Sequence, residues 1–283
     1  MFQAFRIVNV FTCGEDRFSG NPLAVFEDGR GLDDRAMQQL ALQFNLSETT
    51  FILPASTAEA DAQVRIFTPA YEMPFAGHPT LGTAHVVDAL APGRAELRLQ
   101  TRAGVIPVAS RGRRWQLRAN APRAREAGLS HAELGRLLGL DPAQLAGEAR
   151  WVDTGNEQLL IPLRSAQAVR AVQVDGALLA AQPCAHGNPK VYVFAETAEG
   201  SIYARFFFMT VGVAVLEDPA TGSACANLGG YFLTSGAARP LSRVIRQGEQ
   251  VGRPSTLYLD LDEAGQILVG GEVIELGAGA VEV

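Results

Sequence analysis

Cysteine is scarce in this chain: 283 residues hold three, Cys13, Cys184 and Cys225, and no two form a CxxC pair. That excludes a disulfide framework and a cysteine-based zinc site, and makes a reducing cytoplasm the default compartment. The four histidines, His78, His85, His131 and His186, are scattered, and no HExxH spacing occurs, so no catalytic metal is expected. Long apolar runs are missing too. None approaches the roughly 20 residues needed to span a bilayer, which removes the membrane as a partner. The apolar start, residues 1–11, is broken by Arg6 and Asn9 and reads as a strand rather than a signal peptide. Basic charge is in deficit: 24 Lys and Arg against 30 Asp and Glu leave a formal net charge of −6. A mildly acidic surface does not draw phosphate backbones, so nucleic acid is not an expected partner. Nor is there a phosphate-binding loop. Gly277-Ala278-Gly279 lies at the end of the chain with no helix to follow, so no dinucleotide cofactor is expected.

What the chain does have is a well-filled apolar inventory, 47 % hydrophobic against 19 % charged residues, enough for a globular protein of two domains. Short apolar and β-branched runs predict strands at Phe5–Phe11, Leu23–Phe26, Thr50–Leu53 and Val64–Phe67. Further runs follow at Leu159–Leu163, Val191–Phe194, Ile202–Phe208, Leu257–Leu261 and Gln266–Val269. Asp33–Phe44 carries Met37, Leu40, Ala41 and Phe44 on one face and predicts an amphipathic helix. Ser130 and Glu133 form a capping box before Leu134, Leu137 and Leu138, in a helix that should stop near Gly139.

Two other predicted helices are almost free of charge. Pro79–Leu90 starts with Pro at what reads as the first helical position, and Thr221–Leu233 is built from small and apolar residues. A helix with few charges on any face is expected to be buried, here inside a curled sheet. Their surroundings repeat. In each half, Gly-Asn, an apolar strand, an Arg-x-Phe strand, an acidic-Pro turn, Gly and a buried helix follow in that order. The members are Gly20-Asn21, Arg65-Ile66-Phe67, Glu72-Met73-Pro74 and Gly77-His78, then Gly155-Asn156, Arg205-Phe206-Phe207, Glu217-Asp218-Pro219 and Gly222-Ser223. The expectation is an α+β internal duplication: two pseudo-symmetric halves, each a curled, mostly antiparallel sheet around a central buried helix. The halves should divide near Asn120, as residues 1–120 and 121–283, with the final strands returning to the first half.

Chemistry is expected at the starts of the two buried helices. Free N–H groups and a partial positive charge there bind carboxylate or phosphate, and the preceding Gly lets a ligand approach the backbone. Two such ends would grip one small anionic molecule between the halves. Glu48 lies between Leu46 and Phe51: in a partly dry setting a carboxylate there becomes a useful general acid and base, whereas composition alone reads it as a solvated loop glutamate. His78 stands at the mouth of the first buried helix, where it binds substrate, transfers a proton or simply packs. Asp218, Thr221 and Ser223 flank the second; Thr221 or Ser223 could cap it, and Asp218 could merely steady the turn.

At these residues the chain closely resembles the phenazine-biosynthesis-type (PhzF-like) isomerase family, within the diaminopimelate-epimerase-like fold. The matching stretches are Phe18–Phe26 (FSGNPLAVF), Ser47–Phe51 (SETTF), Arg65–Pro69 (RIFTP), Phe75–Gly82 (FAGHPTLG) and Glu217–Ala224 (EDPATGSA). The resemblance implies two pseudo-symmetric domains, a homodimer, and isomerisation without a cofactor. It implies that Glu48 is the proton-moving glutamate. It places Gly77, His78, Asp218, Gly222 and Ser223 in the pocket, with Asn21 and Thr221 among the substrate-binding residues and His78 and Asp218 in catalytic support. Phe208-Met209-Thr210-Val211 and Gly155-Asn156-Glu157 depart from the family pattern near the expected pocket, which leaves the substrate open.

Two rival functions differ in class. A two-thiol epimerase or racemase would need cysteines at about Ala76 and Thr221, and neither is Cys. A non-catalytic, dimeric small-molecule binder would keep the cleft without turnover, and failure to exchange solvent deuterium into a bound ligand would identify it.

Overall fold

The motif order that occurs twice in the sequence becomes one strand-pairing scheme used twice. The computed structural model describes residues 2–185, 187–209 and 214–283, and the chain divides into two units. Unit 1 is Met1–Arg118 with Gly270–Val283, and unit 2 is Ala119–Val269.

Unit 1 contains β1 (Phe2–Val10), β2 (Asn21–Phe26), α1 (Asp34–Phe44), β3 (Glu48–Leu53), β4 (Ala62–Phe67), β5 (Glu72–Met73), α2 (Gly77–Leu90), β6 (Glu96–Thr101), β7 (Gly104–Arg111) and β8 (Arg114–Arg118). Unit 2 contains β9 (Arg123–Glu126), α3 (His131–Leu138), β10 (Arg150–Asp153), β11 (Gln158–Pro162), α4 (Ala166–Ala171), α5 (Gly176–Ala180), β12 (Val191–Glu196), β13 (Ile202–Met209), β14 (Val215–Asp218), α6 (Gly222–Thr234), β15 (Leu241–Gln247) and β16 (Ser255–Leu261). The last strand, β17 (Ile267–Glu282), starts in unit 2 and ends in unit 1.

In unit 1, β1–β2 pair antiparallel, β2–β3 parallel, β3–β4 antiparallel, β4–β6 parallel, and β6–β7 and β7–β8 antiparallel. β17 pairs with both β1 and β8, so this sheet closes on itself. In unit 2, β10–β11 pair antiparallel, β11–β12 parallel, β12–β13 antiparallel, β13–β15 parallel and β15–β16 antiparallel. The short β5 pairs only at the end of β4, and β14 pairs with β13 in the same sense. The order and the directions match strand for strand, as an internal duplication requires.

Each sheet curls around one helix. α2 packs against β1, β2, β3, β4, β6 and β8, and α6 against β9, β10, β11 and β16. Apart from His85 and Asp88, α2 offers no charge-bearing or basic group beyond His78 at its start, so it can be surrounded by apolar strand faces. Close approach needs glycine. A Cβ on Gly82 would lie 2.6 Å from Leu23, and one on Gly230 would lie 2.6 Å from Pro122.

Helices also cover the outer faces. α1 has Asp33 as its N-cap, accepting from Ala36 N, and ends at Asn45 in the left-handed conformation. It buries Met37, Leu40 and Ala41 against Phe26, Phe51 and Phe67, worth about 1.5–3 kcal/mol for each large side chain. α3 has the capping box of Ser130 and Glu133 and stops at Gly139, which is left-handed.

Three details differ from the sequence expectation. α2 begins at Gly77, so Pro79 is its third residue, not its first. Pro is tolerated there because first-turn N–H groups have no helical acceptor. α6 begins at Gly222 with Thr221 at the N-cap position. The strand expected at Gln266–Val269 runs on to Glu282, because pairing with β1 supplies the hydrogen bonds that its Gly-rich, non-alternating tail does not advertise. Of the segment Phe208–Val211, Thr210 and Val211 lie outside the described residues, as does His186. Among the described residues, no helix is long and apolar enough to cross a membrane.

Candidate active site

Glu48 is the first residue of β3, placed by parallel pairing opposite Leu23 of β2. Strand side chains alternate, and Thr50 hydrogen-bonds Thr83 of α2 at 2.8 Å, so Glu48 shares the face turned to the central helix. His78 is the second residue of α2. Its Nδ1 lies 2.8 Å from Glu48 Oε2, and its Nε2 lies 3.1 Å from the carbonyl oxygen of Asn21. The His78 side chain is 6 % exposed and that of Glu48 is 17 % exposed. The carboxylate is thus partly dry, with one edge open.

A ring nitrogen that carries its hydrogen can donate to the Glu48 carboxylate or to the Asn21 carbonyl, so this line joins a carboxylate, an imidazole and a backbone acceptor.

The start of α2 adds donors. Ala76, in the N-cap position, makes no side-chain cap hydrogen bond, and no acidic residue lies in the first turn. A Cβ on Gly77 would meet only Leu117, at 4.0 Å, so glycine is not required there for packing. Its bare backbone suits close approach by an anion. Asn21, Glu48, Gly77 and His78 therefore gather in unit 1.

Asp218, Thr221, Gly222 and Ser223 gather in unit 2, at the start of α6. Thr221 was expected to be a possible cap; its hydroxyl instead donates to Asp218 Oδ2, and α6 has no side-chain cap. Gln247 Nε2 donates to Asp218 O and to Thr221 Oγ1 at 2.9 and 3.0 Å. Ser223 does not cap either: its hydroxyl accepts from Gln158 Nε2 at 2.9 Å. Asn227 donates to Gln158 Oε1 and Asn156 O, and accepts from Thr154 N and Oγ1. Sequence reading passed over Gln158, Asn227 and Gln247. The available signal was Asn227, the one amide inside an otherwise small and apolar helix.

The Glu157 that departs from the family pattern has a structural use. Its buried carboxylate accepts from Nε and Nη2 of Arg125, at 3.0 and 3.1 Å, and from Ala185 N at 2.6 Å. Although burial alone would raise its pKa, these hydrogen bonds and the Arg125 charge hold it below the usual carboxylate range.

The thiols are not arranged for two-sided proton exchange. Cys225 is fully buried one turn into α6, and burial pushes its thiol pKa well up, so it stays neutral and inert. Cys13 and Cys184 are half-buried. With a thiol-specific reagent at pH 8, Cys225 is expected to react only after denaturation. Native-state labelling detected by mass spectrometry on a peptide holding Cys225 would contradict this burial.

Comparisons with known proteins agree with the fold. Residues 8–278 match the family model described as phenazine biosynthesis-like protein. An uncharacterized isomerase of Pasteurella multocida is 41 % identical over 98 % of this chain and 93 % of its own length. The trans-2,3-dihydro-3-hydroxyanthranilate isomerase of Pseudomonas aeruginosa is 33 % identical over 98 % of each chain. The crystal structure of a Bacillus anthracis phenazine biosynthesis protein of the PhzF family covers 100 % of both chains with a TM-score of 0.86 at 23 % identity, a likeness of fold. A match over nearly the whole chain, with the duplicated curled sheets beneath it, shows that this protein belongs to the phenazine biosynthesis-like, PhzF-like family of isomerases.

Proposed function

We propose that the protein moves a proton within a small carboxylate-bearing substrate, without a cofactor, using Glu48 as both acid and base. Support comes from the single line Glu48–His78–Asn21 O, which sets an imidazole directly against the carboxylate. In the acid form, Glu48 gives its proton to one carbon of a conjugated substrate. The resulting carboxylate takes a proton from another carbon on the same face, so the double bonds shift and Glu48 is restored. No atom or electron is exchanged with a third component. His78 holds the carboxyl group and stabilises its charged form between the two transfers. The uncapped starts of α2 and α6, with Gly77, Gly222 and Ser223, are the carboxylate-binding elements of this proposal, and Asp218 and Thr221 support the second of them.

The first substrate to try is trans-2,3-dihydro-3-hydroxyanthranilate, because a relative 33 % identical over 98 % of this chain isomerises it. In deuterium oxide the product is expected to carry solvent deuterium at the carbon that gains the proton, unless return outpaces exchange. In that case turnover without label would itself show a shielded single carrier. A protein that binds the compound and neither isomerises nor labels it would be a binder and not this enzyme. His78→Ala removes the proton partner of Glu48, and turnover is expected to fall by about 10²-fold, toward the lower end of what general acid–base assistance contributes.

A further inference from the structure

The duplication assigns a counterpart to Glu48, and it is a lysine. In unit 1 the parallel pair β2–β3 sets Leu23 opposite Glu48. In unit 2 the parallel pair β11–β12 sets Leu159 opposite Val191, so Gln158 faces Lys190, and Leu159 N donates to Lys190 O at 2.9 Å. Placing Gly155-Asn156 on Gly20-Asn21 puts Gln158 on Leu23, and therefore Lys190 on Glu48. The facing agrees. Beyond Glu48, Thr50 touches α2; beyond Lys190, Phe194 stacks edge-on against Tyr231 of α6, with centroids 5.3 Å apart. Two-residue alternation then turns Lys190, like Glu48, toward the central helix.

The surroundings of Lys190 are polar but neutral. Its Nζ donates to Asn156 Oδ1 at 2.9 Å. Asn156 O accepts from Asn227 Nδ2, which also donates to Gln158 Oε1, and Gln158 Nε2 reaches Ser223 Oγ. A continuous run of amides thus connects Lys190 to the start of α6. Among the described residues, no carboxylate forms an ion pair with it. The adjacent acid, Glu157, is taken by Arg125 and Ala185 N. Burial holds the Lys190 ammonium below the ordinary lysine range, with only the nearby Cys184 thiol acting the other way. A half-buried cation with amide partners and no counter-ion is costly to keep in a fold. An arriving anion would offset that cost.

We propose that Lys190 is a specificity-determining residue of unit 2, recognising an anionic group of the substrate, a carboxylate by preference. The position that carries the acid–base carboxylate in one half carries the substrate's counter-ion in the other. This builds on the carboxylate-bearing substrate proposed above, but it does not depend on Glu48 being the proton carrier.

The test is binding, measured by calorimetry with 3-hydroxyanthranilate and with succinate, each against its methyl ester, which lacks the charge. Thermal unfolding is followed in parallel. The parent is expected to bind at least one acid about tenfold or more tighter than its ester. Lys190→Met should weaken that acid by about 10- to 100-fold, the range of a charge-assisted hydrogen bond, and leave the ester unchanged. Lys190→Arg should keep part of the preference. The Tm of Lys190→Met should equal or exceed that of the parent, since an unmatched half-buried charge has gone. Four results would overturn the proposal: no acid preferred over its ester by the parent, an unchanged acid preference in Lys190→Met, equal loss of acid and ester, or a lowered Tm that marks Lys190 as a structural residue. Glu48→Gln should bind the acids as the parent does, so failure of the Glu48 mechanism and failure of Lys190 recognition are read separately.

Discussion

Glu48→Gln is expected to bind substrate nearly as the parent does and to lose about 10²- to 10⁴-fold in turnover. The substitution keeps the size and planarity of the side chain and removes only its ability to gain and lose a proton. The structure explains why the fold should tolerate it. With Gln at position 48, the side-chain amide can donate to Nδ1 of a neutral His78, while Nε2 still donates to the Asn21 carbonyl. The hydrogen-bond line survives and the titrating group is gone. The measurement is kcat and KM on trans-2,3-dihydro-3-hydroxyanthranilate, or on another carboxylate found to turn over. A fall in kcat with KM little changed marks a group used in the transition state. Near-normal kcat would remove Glu48 from the mechanism and move attention to His78 and Asp218. Glu48→Asp is a useful companion. It keeps the titrating group but withdraws it by one methylene from His78, so partial activity, between that of the parent and the Gln variant, is expected.

Arg205→Ala is expected to destabilise unit 2 by about 3–5 kcal/mol, the range for removing one partner of a buried ion pair. Arg205 Nε and Nη2 clasp the Glu217 carboxylate at 3.1 and 2.7 Å, with side chains 10 % and 9 % exposed. The remaining Nη1 donates to Val169 O, Arg170 O and Val172 O, carbonyls at the end of α4. One truncation therefore leaves a buried carboxylate without its cation and takes a donor from three backbone carbonyls, of which Val169 O keeps Val172 N. The duplicated residue in unit 1 gives an internal control. Arg65 makes the same two-pronged contact with Glu72, but Arg102 also reaches Glu72 at 2.8 Å, and the other partner of Arg65, Asp34, is 81 % exposed. Arg65→Ala should cost clearly less, about 1–2 kcal/mol, because Glu72 keeps a cation. Urea unfolding followed by tryptophan fluorescence reports on both units, with Trp115 in unit 1 and Trp151 in unit 2. Equal losses for the two variants would mean that the backup by Arg102 contributes nothing.

Local signals written in neighbouring residues were legible in the sequence. The capping box of Ser130 and Glu133, the Gly139 stop and the apolar face of α1 each depend on residues three or four apart, and the structure has them as read. The repeated motif order announced the duplication because each half must close a curled sheet over a helix with too few charges to meet water. Glu48 and His78 were legible as separate candidates through their flanking motifs. Their contact was not, since 30 positions separate them, and only the parallel pairing of β2 with β3 brings the start of β3 to the start of α2. The amide run through Asn156, Gln158 and Asn227 was invisible for the same reason: its members are unremarkable one by one, and a buried hydrogen bond has no local signature. The expected strand Gln266–Val269 extends to Glu282 because β1 offers an edge for it to pair with. Sequence determined the elements and the residue types a proton shift needs, through short-range periodicity and caps. Tertiary structure alone decided which donor meets which acceptor, because that is fixed by strand register over long separations, and with it that Glu48 and His78 meet.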